Sequence, residues 1–409
     1  MATNEMTFNQ VAAVLNAVQQ QATGQTAIAA TNTADFVAAA QTTLKTGYDP
    51  VMQAISQVLS RTIFSVRPYE RKFGLVEVSE SAYGNHIRKL QVADKPISED
   101  DRYKWPVAYD GTNTPADGTN TPADGDGESV DQQKICKPKI LQTNFYGQNV
   151  WQDCYTLFRD QLDNAFTGPE QFGGFVSMVV QNMNDKLEQI RENMGRAAVA
   201  NFIGGIIDEK DPLRVVHLLT EYNTETGLKL TAETVMQPSN YRAFVQWAYA
   251  RILTISDMMT ERTQLYQTVV KGMPVMRHTP KADQKMMVYA KASNQMTTMA
   301  VADTFHSELL RLGAYETVNF WQSVKTPGAI NVTPGRIGSD GTVVTGKAVN
   351  QDNVFAVIFD REALGYATTQ QWASPAPFNA RGGYTTTWLH ETQRLWNDHS
   401  EKGVVFLLD

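Results

Sequence analysis

Cysteine is scarce in this sequence, and it also lacks long apolar runs and clusters of basic residues. Only Cys136 and Cys154 occur among the 409 residues, too few for a disulfide framework or a cysteine-rich zinc site. No stretch reaches the roughly 20 apolar residues of a membrane-spanning helix, and no basic residue precedes Lys45, so we expect neither a span nor a secretory leader. The 36 Lys and Arg are scattered among 43 Asp and Glu, which argues against a dedicated nucleic-acid-binding protein.

Two segments approach known catalytic motifs and fail at a required position. Residues 341–347 have the spacing of a phosphate-binding loop, but Ala348 follows where magnesium needs a Ser or Thr, which favours a hairpin loop. Residues 390–394 begin like a helical zinc protease site and then place Arg394 at the second ligand position. A charged face beside aromatic residues is the favoured interpretation of the second segment.

Metal ligation finds little support elsewhere. The carboxylates of residues 124–128 lack the spacing of a calcium-binding hand, so we interpret them as a solvated loop. The histidines share no recurrent spacing to Cys, Asp or Glu; they are His86, His217, His278, His306, His390 and His399. We therefore predict no catalytic residue, no metal site and no cofactor, and we expect that the protein is not an enzyme.

The first 70 residues are predicted to be an N-terminal arm with short helices. No charged residue lies between Glu5 and Asp35. Val14 and Leu15 share a helical face with other apolar residues, which predicts a short helix that packs against a partner. A frayed tail is the alternative that the sequence leaves open.

Residues 71–160 are predicted to be an extended β-hairpin. The seven residues 111–117 are repeated at once as 118–124, and their Gly, Pro, Asn and Asp content is typical of an exposed tip. The flanking runs, residues 87–90 and 140–146, would form the two arms of the hairpin.

Hydrophobic periodicity predicts one long helix from residue 169 to about 203, with Gly204 and Gly205 ending it. Its packing stripe comprises Val179, Met183, Leu187 and Ile190. Beyond it the chain is predicted to be mixed, with a helix from Ser239, a strand over 286–289, a helix over 304–312, and loop and hairpin over 328–346.

The last stretch of the chain has the most informative pattern. A strand over 353–360 with a charged exit is followed by a loop rich in Gly and Pro, an extended aromatic run from Tyr384, and an apolar strand within 401–409. This order of parts, together with the long helix and the hairpin, resembles the major capsid proteins of tailed bacteriophages, which have the Hong Kong ninety-seven type of fold.

The resemblance implies an α+β protein with a specific division of the chain. Residues 1–70 would be the N-terminal arm, 71–160 the extended loop, 161–225 with 353–409 the peripheral domain carrying the spine helix, and 226–352 the inserted axial domain. Subunits would self-assemble as hexamers and pentamers into an icosahedral shell around double-stranded DNA, without sequence specificity. The protein would be made in the bacterial host cytoplasm and located in the virion, with no membrane partner.

The resemblance also implies where subunits meet. The candidate interface residues are those of the arm helix and the hairpin arms, namely Val14, Leu15, Ile87, Arg88, Lys89, Ile140, Phe145 and Tyr146. Scaffold or cement proteins and a portal are further expected partners. Two rival functions stay open at this point: another virion subunit from a tail or connector, and a two-domain cytoplasmic hydrolase.

Overall fold

The computed structural model describes residues 8–24, 32–45, 50–51, 54–55, 72–77, 86–93, 139–146, 148–235, 237–272, 275–291 and 314–409. The repeat at 111–124, the carboxylates at 124–128 and the predicted helix over 304–312 lie outside these ranges. The α-helices assigned within them are α1 (Phe8–Thr23), α2 (Thr33–Leu44), α3 (Arg159–Ala165), α4 (Pro169–Glu209), α5 (Leu218–Thr226) and α6 (Pro238–Thr260).

The β-strands of the described residues fall into two larger sheets and three two-stranded pairs. The strands are β1 (His86–Val92), β2 (Ile140–Tyr146), β3 (Asn149–Phe158), β4 (Val215–His217), β5 (Gln284–Tyr289), β6 (Ala314–Val318), β7 (Ile330–Val332), β8 (Gly335–Ile337), β9 (Val343–Thr345), β10 (Val349–Gln351), β11 (Val354–Asp360), β12 (Leu364–Pro375), β13 (Tyr384–Asn397) and β14 (Gly403–Leu407). Helices and strands are both abundant, which confirms the predicted α+β class.

A five-stranded sheet in the order β4-β14-β11-β5-β6 forms the centre of the fold. Its inner pairs are antiparallel, while the two outer strands β4 and β6 run parallel to their neighbours. Every residue of β11 and β14 is buried, which explains why both strands read as unbroken apolar runs rather than as alternating patterns. The strands predicted from the last stretch of the chain and at 286–289 are confirmed.

Helices cover both faces of this sheet. Along β14, Val404 and Phe406 belong to the core shared with α5 and α6, whereas Val405 and Leu407 belong to the core shared with α4. This alternation follows from the two-residue period of a strand. On α6, the predicted apolar side is confirmed, since Phe244 and the residues that follow it at helical spacing pack in the first of these cores.

The second sheet is three-stranded and antiparallel, in the order β12-β13-β3. Its long hairpin turns at Gly383, whose φ of 64° lies in the left-handed region that favours glycine. Residues after 353 therefore contribute to both sheets, because β11 and β14 pair within the first and β12 and β13 within the second. In the first sheet β11 also pairs with β5, so strands predicted to belong to different domains share one sheet.

Helix α4 spans 41 residues, or roughly 60 Å at 1.5 Å per residue. It begins at Pro169 as predicted but does not end at Gly204 and Gly205. It continues to Glu209, and Lys210 closes it in the left-handed conformation. The two glycines instead allow close packing, since an added Cβ would lie 2.5 Å from Val332 Cγ1 at position 204 and 2.1 Å from His399 Nε2 at position 205.

Candidate assembly interface

The two predicted arms of the extended hairpin pair with each other in the part of the chain that the structure describes. Strands β1 and β2 pair antiparallel over their full length, with His86 opposite Tyr146 and Val92 opposite Ile140. The backbone amide of Ala93 donates to the carbonyl oxygen of Lys139 at 2.8 Å, one residue beyond the last paired position. Between these limits Ile87 faces Phe145, Arg88 faces Asn144 and Lys89 faces Thr143.

The two faces of the hairpin differ in character. On one face Leu90, Val92 and Ile140 are 60%, 58% and 60% exposed, and Arg88 continues the same face toward the base. On the other face Lys89 and Gln91 are partly buried and Leu141 is buried. The alternation places one face against the body of the molecule and leaves the other face in solvent, where the three apolar side chains lie beside Arg88 and Gln142.

The inward face carries an ion-pair cluster that the sequence did not predict. Lys89 Nζ donates to Asp398 Oδ2 at 3.0 Å and also to Glu401 Oε1, and Arg277 pairs with the same Glu401 carboxylate. These side chains are 16% (Lys89), 1% (Asp398), 7% (Glu401) and 10% (Arg277) exposed. We call these four side chains the charge cluster.

Further polar groups complete the charge cluster. One guanidinium nitrogen of Arg277, Nη2, donates to Gln91 Oε1 at 2.7 Å and to Ser400 Oγ at 3.0 Å. The backbone amide of Ser400 donates to Asp398 Oδ1 at 3.0 Å. Glu362 lies at the rim, with its carboxylate 3.5 Å from Lys89 and 59% exposed.

The electrostatics keep Asp398 ionised. Burial by itself raises the pKa of this carboxyl, but Lys89, the Ser400 hydroxyl and Arg277 together hold the pKa below its ordinary value. In sequence, residues 398–402 form a polar run between the polar and aromatic strand β13 and the apolar strand β14, a pattern typical of an exposed turn. All five are buried, so no local signal distinguished them.

The same turn carries a buried histidine beside a buried arginine. His399 stacks on Phe202 with ring centroids 5.1 Å apart, and burial, with the charge of Arg214, lowers the pKa of its imidazole to about 3. Arg214 is fully buried, and it donates to Glu209 Oε2 at 2.7 Å and to the Gly403 carbonyl oxygen at 3.1 Å. These contacts tie the turn to the end of α4.

The arm helices fold back onto their own chain. Val14 and Leu15, predicted as interface residues, are 6% and 0% exposed within an apolar cluster that α1 and α2 share with the start of α4. Phe36 of α2 contacts Phe172 of α4 with ring centroids 5.9 Å apart. In this conformation the two predicted residues pack within the subunit, because the apolar face of α1 meets α2 and α4 rather than solvent.

The predicted stripe of α4 lies partly in the core. Leu187 is buried, whereas Val179, Met183 and Ile190 are partly buried. Val179 packs against the arm cluster just described. Gln189, on the other side of the helix, is exposed.

Residues 390–394 lie within strand β13 and not on a helix, so the structure gives them no zinc-protease geometry. The interpretation as a charged face is wrong, because Glu391 and Arg394 are 1% and 3% exposed. Arg191 of α4 holds Glu391 through two hydrogen bonds of 3.1 and 3.0 Å. His390 stacks on Trp372 with ring centroids 5.0 Å apart.

The other near-motif is a hairpin loop, as favoured. Residues 343–345 form β9, which pairs with β8, and the backbone amide of Lys347 donates to Asp208 Oδ1 at 3.1 Å. Within the described ranges no three His, Cys, Asp or Glu side chains are grouped so as to hold a metal ion. Among the helices of the same ranges, none combines the length and hydropathy of a bilayer span.

Comparison with known protein families gives a match over most of the chain. A family model described as Phi29-like phage major capsid protein matches residues 15–407. No curated protein matches the sequence.

Solved structures show further similarity in fold. A capsid structure of Staphylococcus phage Andhra is similar with a TM-score of 0.51 and 11% identity, over 85% of this chain and 87% of that chain. A chain in the structure of head fiber and inner core protein gp22 of native bacteriophage P68 has the same TM-score at 10% identity, with the same coverage of 85% and 87%. At such low identity these likenesses establish the fold alone.

Proposed function

Because this chain belongs to the Phi29-like phage major capsid protein family, we propose that its extended hairpin joins neighbouring subunits of the phage head through its exposed apolar face. The chain is the major capsid protein of a tailed phage, is located in the virion and assembles with its own copies into a shell. Hexamers and pentamers are typical of such shells. The proposal concerns which surfaces make the contacts.

The observation that carries the proposal is the solvent-facing side of β1 and β2. Val92 and Ile140 are directly opposite in the register, and Leu90 adds a third large apolar side chain two residues along the same face. Apolar side chains that are contiguous and more than half exposed favour contact with another protein. A shell repeats the contact many times, so each one needs only modest affinity.

This proposal refines the predicted interface residues. Arg88 and Ile140 lie on the outward face and stay interface candidates, joined by Leu90 and Val92. Lys89 points toward its own chain and is assigned a different role below.

The domain division is also a proposal. We assign the middle of α4 and the three-stranded sheet to the peripheral domain, supported by the ion pairs of Arg191 with Glu391 and of Lys186 with Asp153. We assign the five-stranded sheet with α5 and α6 to the axial domain. This moves β11 and β14 out of the peripheral domain predicted from sequence.

The role proposed for the protein is structural and without catalysis. The family consists of capsid proteins, which supports this role over a hydrolase. We further propose that the shell encloses double-stranded DNA without reading its sequence, since the formal net charge of −7 offers no surplus of cations for tight phosphate binding. We also propose a portal, and scaffold or cement proteins, as further partners of the shell.

The test compares two Val→Asp variants of the full chain at exposed positions. Val92→Asp alters the outward hairpin face, while Val343→Asp is a matched control on β9, where the valine is 84% exposed. We expect both variants to fold and only Val92→Asp to lose shells in electron micrographs. Normal shells from Val92→Asp would refute the proposed contact.

A further inference from the structure

We propose that the charge cluster of Lys89, Arg277, Asp398 and Glu401 is a latch that fixes the angle of the extended hairpin relative to the body of its own subunit. Lys89 would be a positioning residue in this latch. The latch itself is independent of the proposed function; only its consequence for assembly rests on that function.

The first argument is charge balance. The charge cluster contains two cations and two anions, and all four side chains are at most 16% exposed. Buried charges are stable when each is paired and hydrogen-bonded. Lys89 is the only member that the hairpin contributes, so moving the hairpin away would leave two buried carboxylates with Arg277 alone.

The second argument is the position of the contact. Lys89 is at the centre of β1, and its partners Asp398 and Glu401 lie in the turn between β13 and β14, more than 300 residues along the chain. Gln91, on the same face of β1, accepts from Arg277 at 2.7 Å and donates to Glu401 Oε1 at 3.4 Å. Two successive inward side chains of one strand therefore bind one turn, which restricts rotation as well as separation.

The third argument is the rigidity of the surface that receives the hairpin. The turn is enclosed in the body, with Asp398 and His399 each 0% exposed. The backbone amide of Asp398 donates to the carbonyl oxygen of Ala363, and that of Glu401 donates back to Asp398 at 3.1 Å. A turn that is held rigidly in this way fixes the orientation of the strand that binds to it.

The consequence concerns assembly. A hairpin held at one angle presents Leu90, Val92 and Ile140 in one direction, so subunits would meet without first ordering that element. A hairpin released from the latch would sample many directions and join neighbours more slowly, because association would then also have to order the hairpin, at a cost in conformational entropy.

The test measures hairpin orientation in unassembled full-length chains. Spin labels are attached at Arg88→Cys on the exposed hairpin face and at Met178→Cys on α4, in a background of Cys136→Ser and Cys154→Ser. Pulsed electron resonance then gives the distribution of distances between the labels. We expect a single narrow distribution for the parent and one at least twofold broader, or bimodal, for Lys89→Met.

Two further variants complete the design. Lys139→Met removes the same charge from an exposed site at the loop end of the paired strands and should leave the distribution narrow. Lys89→Met combined with Glu401→Gln restores charge balance inside the body but leaves no ion pair between the hairpin and the turn, so its distribution should stay as broad as that of Lys89→Met.

A distribution for Lys89→Met as narrow as the parent's overturns the latch. The latch is also overturned if both Lys89→Met and the charge-balanced double variant fail to fold. The charge cluster would then stabilise the fold of the subunit body rather than the angle of the hairpin. Shell formation is not the readout, so the outcome is distinct from that of the Val92→Asp test.

Discussion

Replacing Gly205 with Ala tests why α4 runs through two glycines. An alanine Cβ at this position would lie 2.1 Å from His399 Nε2, far inside van der Waals contact. The imidazole cannot move aside freely, because it is fully buried and stacks on Phe202. Helix propensity favours the alanine by about 1 kcal/mol, whereas overpacking of a well-filled core costs about 1–3 kcal/mol or more. The difference between the two terms predicts that Gly205→Ala lowers the free energy of unfolding by up to about 2 kcal/mol.

The same helix supplies a control. An added Cβ at Gly174 meets no atom within 4 Å, so Gly174→Ala should raise the free energy of unfolding by about 0.5–1 kcal/mol. Urea unfolding of the unassembled chain, followed by circular dichroism, gives the two midpoints. If His399 causes the clash, Gly205→Ala combined with His399→Ala should show a coupling of at least about 1 kcal/mol. Equal or higher stability of Gly205→Ala relative to Gly174→Ala would show that the close approach is not real.

Two more predictions follow from burial. Leu187→Asp places an unpaired charge at a buried site of α4 and should lower the free energy of unfolding by several kcal/mol, giving aggregated or unassembled protein. Gln189→Asp, at an exposed site of the same helix, should still form particles. Similar yields of particles from the two variants would contradict the assigned buried face of α4. His399 has a folded pKa of about 3 against an ordinary 6.5, so the unfolded chain binds a proton that the folded chain does not, and stability falls as pH drops from about 6.5 toward 3. The free energy of unfolding should fall by roughly 2 kcal/mol between pH 7 and pH 5. Urea midpoints across this range should vary less with pH in His399→Gln than in the parent. The same pH dependence in both proteins would show that His399 is not buried in its neutral form.

Much of the fold could be predicted because its signals are local. The start of α4 follows from Pro169 and a periodic apolar face, and β11 follows from an unbroken apolar run. The hairpin arms were located from two extended runs around a loop rich in turn residues, and the register bears this out. The order of these parts was enough to recognise the family.

The candidate site was less predictable because its contacts join distant residues. Lys89 has the same local pattern as an exposed lysine, and nothing near it indicates a partner at Glu401. Gly204 and Gly205 have the pattern of a helix stop, yet they are explained by Val332 and by His399, which pack on the helix from elsewhere in the chain. Burial of residues 398–402 depends on what surrounds the turn, which periodicity does not encode.

The position of β14 has a consequence for how the subunit is made. Strand β14 follows both of its pairing partners in the sequence, yet it lies between them, β4 and β11, in the sheet. During synthesis the sheet therefore keeps a gap between β4 and β11 until residues 403–407 have left the ribosome, and the turn that receives Lys89 is equally late. A nascent chain would thus hold its hairpin without a fixed direction until the turn at residues 398–402 has been translated. Such an order of events would delay competence for assembly until the subunit is folded, and would keep truncated chains out of the shell.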